Sequence, residues 1–243
     1  MNEKKWWSNA LLVGGVIALV TLPIGALGTK LGLWAFTGGF MVLGVGVVLA
    51  TAVFFLGVIA VVYTSVKGMA ADRTSAAVGL VVSLVVLGVM GSQFAAGTQV
   101  PAIHNISTDL VNPPEFNTLV AIREAEGANP LELTDEVKDQ QRGAYPQIKS
   151  LISGSSSQEL FTQAVQVLEG MGIDIADANP GAGTIEATDE TFWFGFKDDV
   201  VVRIRAEGSG SVVDVRSVSR VGQSDLGKNA ARIAEILAGL GSS

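Results

Sequence analysis

The sequence predicts an α-helical membrane region joined to an α+β domain: three transmembrane helices, then an antiparallel four-strand meander flanked by helices. Three observations carry this expectation. No charged side chain lies between Lys5 and Lys30, between Lys30 and Lys67, or between Arg73 and Asp109, and each gap can hold the roughly 20 apolar residues that cross a bilayer. Charge is divided to match, with five basic and two acidic side chains in residues 1–97 against 11 basic and 21 acidic ones in the rest. Beyond the third gap, apolar stripes at helical spacing give way to runs in which Val and Ile recur at every second position. Residues 1–97 therefore read as the transmembrane region, 98–150 as an extended connector with an accessory helix, and 151–243 as the extracytoplasmic core domain.

The spans fall near Ala10–Gly28, Trp34–Tyr63 and Ala76–Ala96. Pro23 is tolerable inside the first, because neighbouring helices can satisfy the carbonyl it frees, and the long middle span requires tilt. Lys4 and Lys5 precede the first span and Lys67 and Arg73 fill the second loop, while only Lys30 lies in the first. By the positive-inside rule the N-terminus is cytoplasmic and the C-terminal domain lies outside the inner (plasma) membrane, on the periplasmic side. Lys4-Lys5, the apolar run and Ala26-Leu27-Gly28 also fit a cleaved signal peptide, which leaves the domain on the same side. Trp6, Trp7, Trp34 and Tyr63 stand where interfacial aromatics belong. Small residues recur at four in Ser75-Gly79-Ser83 and Gly88-Ser92-Ala96, a spacing that the abundance of Gly and Ala explains by itself.

Pro101, Pro113 and Pro114 make the following stretch extended, and Phe116–Ala125 has helical spacing. Tyr145-Pro146 is expected to dock its loop on the core. Ser156 and Glu159 form a capping-box pattern ahead of an apolar face made by Leu160, Phe161, Ala164, Val165, Leu168 and Met171. Strands are expected near Ile173–Ala176, Gly183–Phe196 with a bulge, Val200–Glu207 and Ser211–Arg220, turning at Asp198-Asp199 and at Gly208-Ser209-Gly210. A last helix starts near Ser224 or Asp225 with the stripe Leu226, Ala230, Ile233, Leu237 and Leu240. Alternation sets Val200, Val202, Ile204, Val213 and Val215 on one sheet face and Arg203, Arg205, Asp214, Arg216 and Arg220 on the other.

The segments PAIHNISTD, NPPEF, IEATDETFWFGFKDDVVVRIR and DVRSVSRVGQSDLGKNAARI resemble the uncharacterised family called domain of unknown function fourteen-ninety-nine, over about Pro101–Leu240. The resemblance implies an envelope or lumenal location and carries no chemistry across; the membrane half lies outside it.

The arginine face has two readings. Arg203, Arg205, Asp214, Arg216, Ser219 and Arg220, with Asp225 and Asn229 near the start of the last helix, could bind a phosphate or carboxylate, as on an anionic lipid or an envelope protein. Alternatively they form cross-strand ion pairs with Asp214, Glu186 and Asp198 on a solvated face, with Asp225 capping the helix. Asp198, Asp199, Asp214 and Asp225 lack the spacing of a calcium loop, so no metal or other cofactor is expected. Cysteine is absent, His104 is the only histidine, and Ser217, Ser219 and Ser224 have no nearby base, so no catalytic set stands out. The acidic domain argues against nucleic acid. These readings converge on a membrane-anchored extracytoplasmic binding or scaffolding module of the cell envelope. The alternative is a membrane-bound hydrolase acting on an anionic envelope component.

Overall fold

A computed structural model describes residues 4–241, which divide into two compact units: residues 4–96 with 192–195, and residues 97–191 with 196–241.

The first unit is built on α1 (Trp6–Lys30), α2 (Phe36–Val66) and α3 (Ala70–Gly97), each long and apolar enough to cross a membrane. Except at the start of α2, which begins two residues later than expected, they extend beyond the expected spans, since a helix continues into the interface past its apolar core. Leu11 lies by Ala60 and Ala18 by Ala50, so α1 and α2 run antiparallel; Ser8 lies by Asp72 and Ala18 by Val86, so α1 and α3 run parallel. Small residues set the spacing. A Cβ on Gly79 would stand 2.6 Å from the Leu11 carbonyl oxygen, and one on Gly15 would stand 2.9 Å from that of Gly79. Ser75, Gly79 and Ser83 are buried at this seam, whereas Gly88, Ser92 and Ala96 are exposed. One of the two small-residue triplets is therefore a packing surface and the other is composition.

The second unit is an antiparallel sheet in the order β1-β6-β5-β4-β3, with a sixth strand, β2, also paired to β6. The strands are β1 (Asn105–Ser107), β2 (Leu151–Ser153), β3 (Asp174–Asn179), β4 (Thr184–Glu190), β5 (Lys197–Glu207) and β6 (Gly210–Ser219). The expected meander of four strands is β3–β6; the structure corrects the count to six. The additional two are three residues long, too short to show a strand pattern. They share the outer edge of β6, β1 against residues 216–218 and β2 against 211–213. The register irregularity lies in β3, between Ile175 and Asp177, and not in β4.

One expected turn is also corrected. Asp198 and Asp199 lie inside β5, both buried, and the chain reverses instead over Thr191–Phe196. Ion pairs described below supply what two aspartates in a strand otherwise lack.

Helices α6 (Ser157–Gly170) and α7 (Lys228–Gly241) cover one sheet face. Ser156 and Glu159 form the expected reciprocal cap on α6. Leu160, Ala164 and Leu168 then meet Ile185, Val200, Val202, Val213 and Val215 in the main core, where Ile233, Ile236 and Leu240 of α7 join them. The last helix starts at Lys228, later than expected, so Leu226 falls outside it, exposed, and Ile236 takes its place in the buried stripe. Tyr145 packs on this core as expected.

The opposite face is also covered. Helix α4 (Thr118–Ala125) and Phe116 lie over Val201 and Val218, making a second, smaller core. Helix α5 (Asp135–Ala144) follows, and the Gln141 side chain both accepts from the Ser107 N–H (3.0 Å) and donates to its carbonyl (2.6 Å), tying α5 to β1.

Candidate functional site

The alternation read from sequence holds: Arg203, Arg205, Asp214, Arg216 and Arg220 occupy one face, opposite the valine core. That face is not a solvated ladder. The 105–133 stretch lies across it, and the arginines are engaged in three separate arrangements.

At one end Asp214, fully buried, accepts from Arg203 and Arg205 (2.8 Å each) and from the Ser150 hydroxyl (2.5 Å). Burial pushes its carboxyl upward, but Ser150, Arg203 and Arg205 outweigh this and hold it below the ordinary 3.8. Arg203 also reaches Asp109 (3.1 Å) and the Asn112 carbonyl (2.8 Å), pinning the connector down.

In the centre, Arg216 forms no ion pair with a carboxylate among the described residues. It donates to the Asn105 side chain, to the Pro114 carbonyl (3.1 Å) and to the Leu131 carbonyl, and its guanidinium lies 5.7 Å from the centre of the Phe116 ring. Burial, with Arg123 nearby, pushes its pKa down to about 10. Arg216 thus replaces water for the backbone of an irregular segment that has no strand partner there.

At the far end Asp199, also fully buried, is shared by Arg123 of α4 (2.5 Å) and Arg220 (2.7 Å), and it accepts from Thr188 (2.7 Å). Burial raises its carboxyl, and Arg220, Thr188 and Arg123 more than reverse the effect. Arg220 continues to Glu126 (2.7 Å). Glu186, expected to pair with an arginine, instead accepts the Asn117, Thr118 and Leu119 N–H groups (2.8–3.0 Å) at the start of α4. A carboxylate from β4 therefore satisfies the free donors of that helix end.

Asp198 points to the opposite face. There Arg232 of α7 bonds Asp198 (2.7 Å), Asp189 (2.5 Å), Ser217 (3.0 Å) and Asn229 (2.6 Å). Asn229 also donates to Ser219 and to the His104 carbonyl (3.0 Å each). The eight predicted ligand residues are thus divided by the sheet: Arg203, Arg205, Asp214, Arg216 and Arg220 on one side, Ser219, Asp225 and Asn229 around α7 on the other. Sequence reading missed Arg123, Asp189 and Arg232, and took Asp199 for a turn residue. Arg232 offered a signal, standing three residues after Asn229, one helical turn away.

Asp225 caps α7 as anticipated, accepting from Asn229 N–H and Gly227 N–H (2.8 Å each). Burial raises its carboxyl despite those donors, with Asp198 adding to the effect. Burial lowers the neighbouring His104, against a hydrogen bond to the Gln223 backbone and the Asp225 charge. Leu226, next to them, has a φ of 55°, a left-handed conformation that a leucine adopts at a cost. The Tyr145 hydroxyl is buried in this corner and makes no hydrogen bond among the described residues. Two hollows on the domain surface lie elsewhere, one along Gln158–Gln166 of α6 and one beside Pro180–Gly183; none of the arginines lines either. Among the described residues no group of three His, Cys, Asp or Glu side chains is placed to hold a metal ion.

The family model described as Protein of unknown function (DUF1499) matches residues 105–240, more than half of the chain. No curated protein matches it.

Proposed function

The chain belongs to the DUF1499 family, and we propose that its family domain is a membrane-anchored extracytoplasmic binding or scaffolding module of the cell envelope. One observation carries this reading. The charged groups that sequence suggested as ligands are committed to internal bonds that clamp residues 105–133 across the sheet, which makes a rigid body on a three-helix anchor. Of the four arginines only Arg205 is exposed, at 46%, so contact with an anionic lipid headgroup or acidic partner falls to Arg205 and its rim.

The basic residues Lys4, Lys5, Lys67 and Arg73 support the external placement. A reporter active only outside the cytoplasm, fused after Ser243, is expected to work; activity of a cytoplasm-only reporter there refutes the placement. Replacing Arg205 with Gln is expected to weaken sedimentation with anionic vesicles while lowering thermal unfolding only slightly, because Arg203 and Ser150 still hold Asp214. Undiminished binding by this variant removes the anion role.

A second reading, a hydrolase acting on an anionic envelope component, is favoured by the corner that holds Asp225, His104, Tyr145 and the strained Leu226. In it Asp225, raised by burial, acts as the acid and neutral His104 as the base. Hydrolysis of an activated phosphate or carboxylate ester by the purified chain, lost in His104→Gln, is the result it requires.

A further inference from the structure

We propose that the loop between β4 and β5 is a membrane-interface anchor, whose aromatic side chains Phe192 and Trp193 enter the headgroup region of the bilayer that the chain's own helices cross. The inference needs only the membrane helices and is independent of the side on which the domain lies.

The loop is preformed. The Thr191 N–H donates to the Phe196 carbonyl (2.8 Å), the Phe196 N–H donates to the Thr191 hydroxyl (2.9 Å), and Gly195 takes a φ of 67° that only glycine adopts without strain. Such closure holds the tip outward. Phe192 is 72% exposed and Trp193 55% exposed, with their rings edge to face at 5.2 Å. Other exposed apolar side chains of the family domain, Val111, Ile122, Ile152 and Leu226, are scattered aliphatics of the kind any surface carries. Two adjacent large aromatics at the tip of a fixed loop are different, since rings of this type prefer the level of the headgroups.

The depth is marked by the helical unit, to which residues 192–195 belong. Lys30 is in the last turn of α1, where a lysine extends its ammonium to the headgroups. Its Nζ donates to the Phe192 carbonyl (3.1 Å) and lies 5.4 Å from the centre of the Phe192 ring. Phe194 packs on Phe40, near the start of α2, at 5.5 Å between ring centres. The tip is thus level with the α1–α2 connection, one of the two edges of the membrane region. Three crossings bring the end of α3, from which the family domain continues, to the same side of the bilayer as that connection. Chain connectivity therefore lets the loop and the interface meet.

Intrinsic fluorescence tests this in the full chain. With Trp6, Trp7 and Trp34 replaced by Phe, Trp193 is the sole indole. In phosphatidylcholine vesicles its emission is expected to be blue-shifted, protected from aqueous iodide, and quenched more by lipids brominated near the headgroup than by lipids brominated near the chain end. Emission at the wavelength of solvated indole with full iodide quenching overturns the proposal. So does protection from iodide without quenching by either brominated lipid, which would mean that protein alone covers the ring. Trp193→Phe in the otherwise native chain guards against a fold disturbed by the triple change. It is expected to reduce the absolute emission lost to headgroup-brominated lipid, and an unchanged loss overturns the proposal equally.

Discussion

On one face of the sheet Val200, Val202, Ile204, Val213 and Val215 meet α6 and α7 through apolar contact. On the other, Asp199, Arg203, Asp214, Arg216 and Arg220 meet residues 105–133 through ion pairs and hydrogen bonds. Both covers exclude water from the same strands, yet they differ in how they fail. An apolar interface loses stability in proportion to the volume removed, and its members are exchangeable at similar size. A buried charge network offers no such gradation, because removing one member strands the others without solvent or partner. The helical cover therefore loses stability by degrees, and the polar cover fails at the loss of a single member.

The contrast is sharpest at Asp199. In residues 97–243, which contain both cores entire, Asp199→Ala leaves Arg123 and Arg220 buried against each other. A loss of roughly 3–5 kcal/mol is expected in urea unfolding. A loss below about 1 kcal/mol would show that the polar face admits water and would erase the distinction between the two covers.

Ile236→Ala probes the apolar face, where the side chain is fully buried among the α6, α7 and sheet residues. A cost of about 3 kcal/mol is expected by the same measurement, and Ile236→Leu should recover most of it. No comparable conservative rescue is expected at Asp199, where Glu would be too long for the space between two guanidinium groups.

Titration separates the faces by sign. Asp199 and Asp214 are held below 3.8, so their contribution is present above that pH and is lost as pH falls through their lower folded values. Asp225 is raised, so stability is greatest with its carboxyl protonated and declines as pH rises through its folded value. Asp225→Asn is accordingly expected to gain on the parent chain as pH rises above the ordinary 3.8 through the raised folded value, and a constant offset over that rise would contradict the assignment. The smallest effect is expected at Arg142→Gln, which removes an exposed pair with Asp139 on α5 and should leave the unfolding midpoint within error.

The sequence showed the first cover and not the second for a definite reason. Helix α6 announces itself through Ser156, Glu159 and an apolar stripe, and β5 and β6 through alternation, because each is a local pattern with a fixed period. The segment over the arginines has no period. Asn105, Pro114 and Leu131 reach Arg216 from positions 85 to 111 residues away in the chain. Their shared role exists only once β1 has paired with β6. Asp198 and Asp199 were misread as a turn for a related reason: their partners, Arg232 and Arg123, come from helices on opposite faces.

By itself the sequence determined the three membrane helices, the family, the sheet faces of the alternating residues from Val200 to Arg205 and from Val213 to Arg220, and the caps at Ser156 and Asp225. All of these follow from hydropathy, periodicity or side-chain chemistry within a few residues. Only the tertiary structure decided that β1 and β2 complete a six-strand sheet, that the arginine face is covered, and that Glu186 caps a helix rather than pairing with an arginine. Those outcomes depend on which buried donors and acceptors find one another across the fold. A desolvated charge must take whatever partner the packing brings within reach, and no local pattern records which one that is.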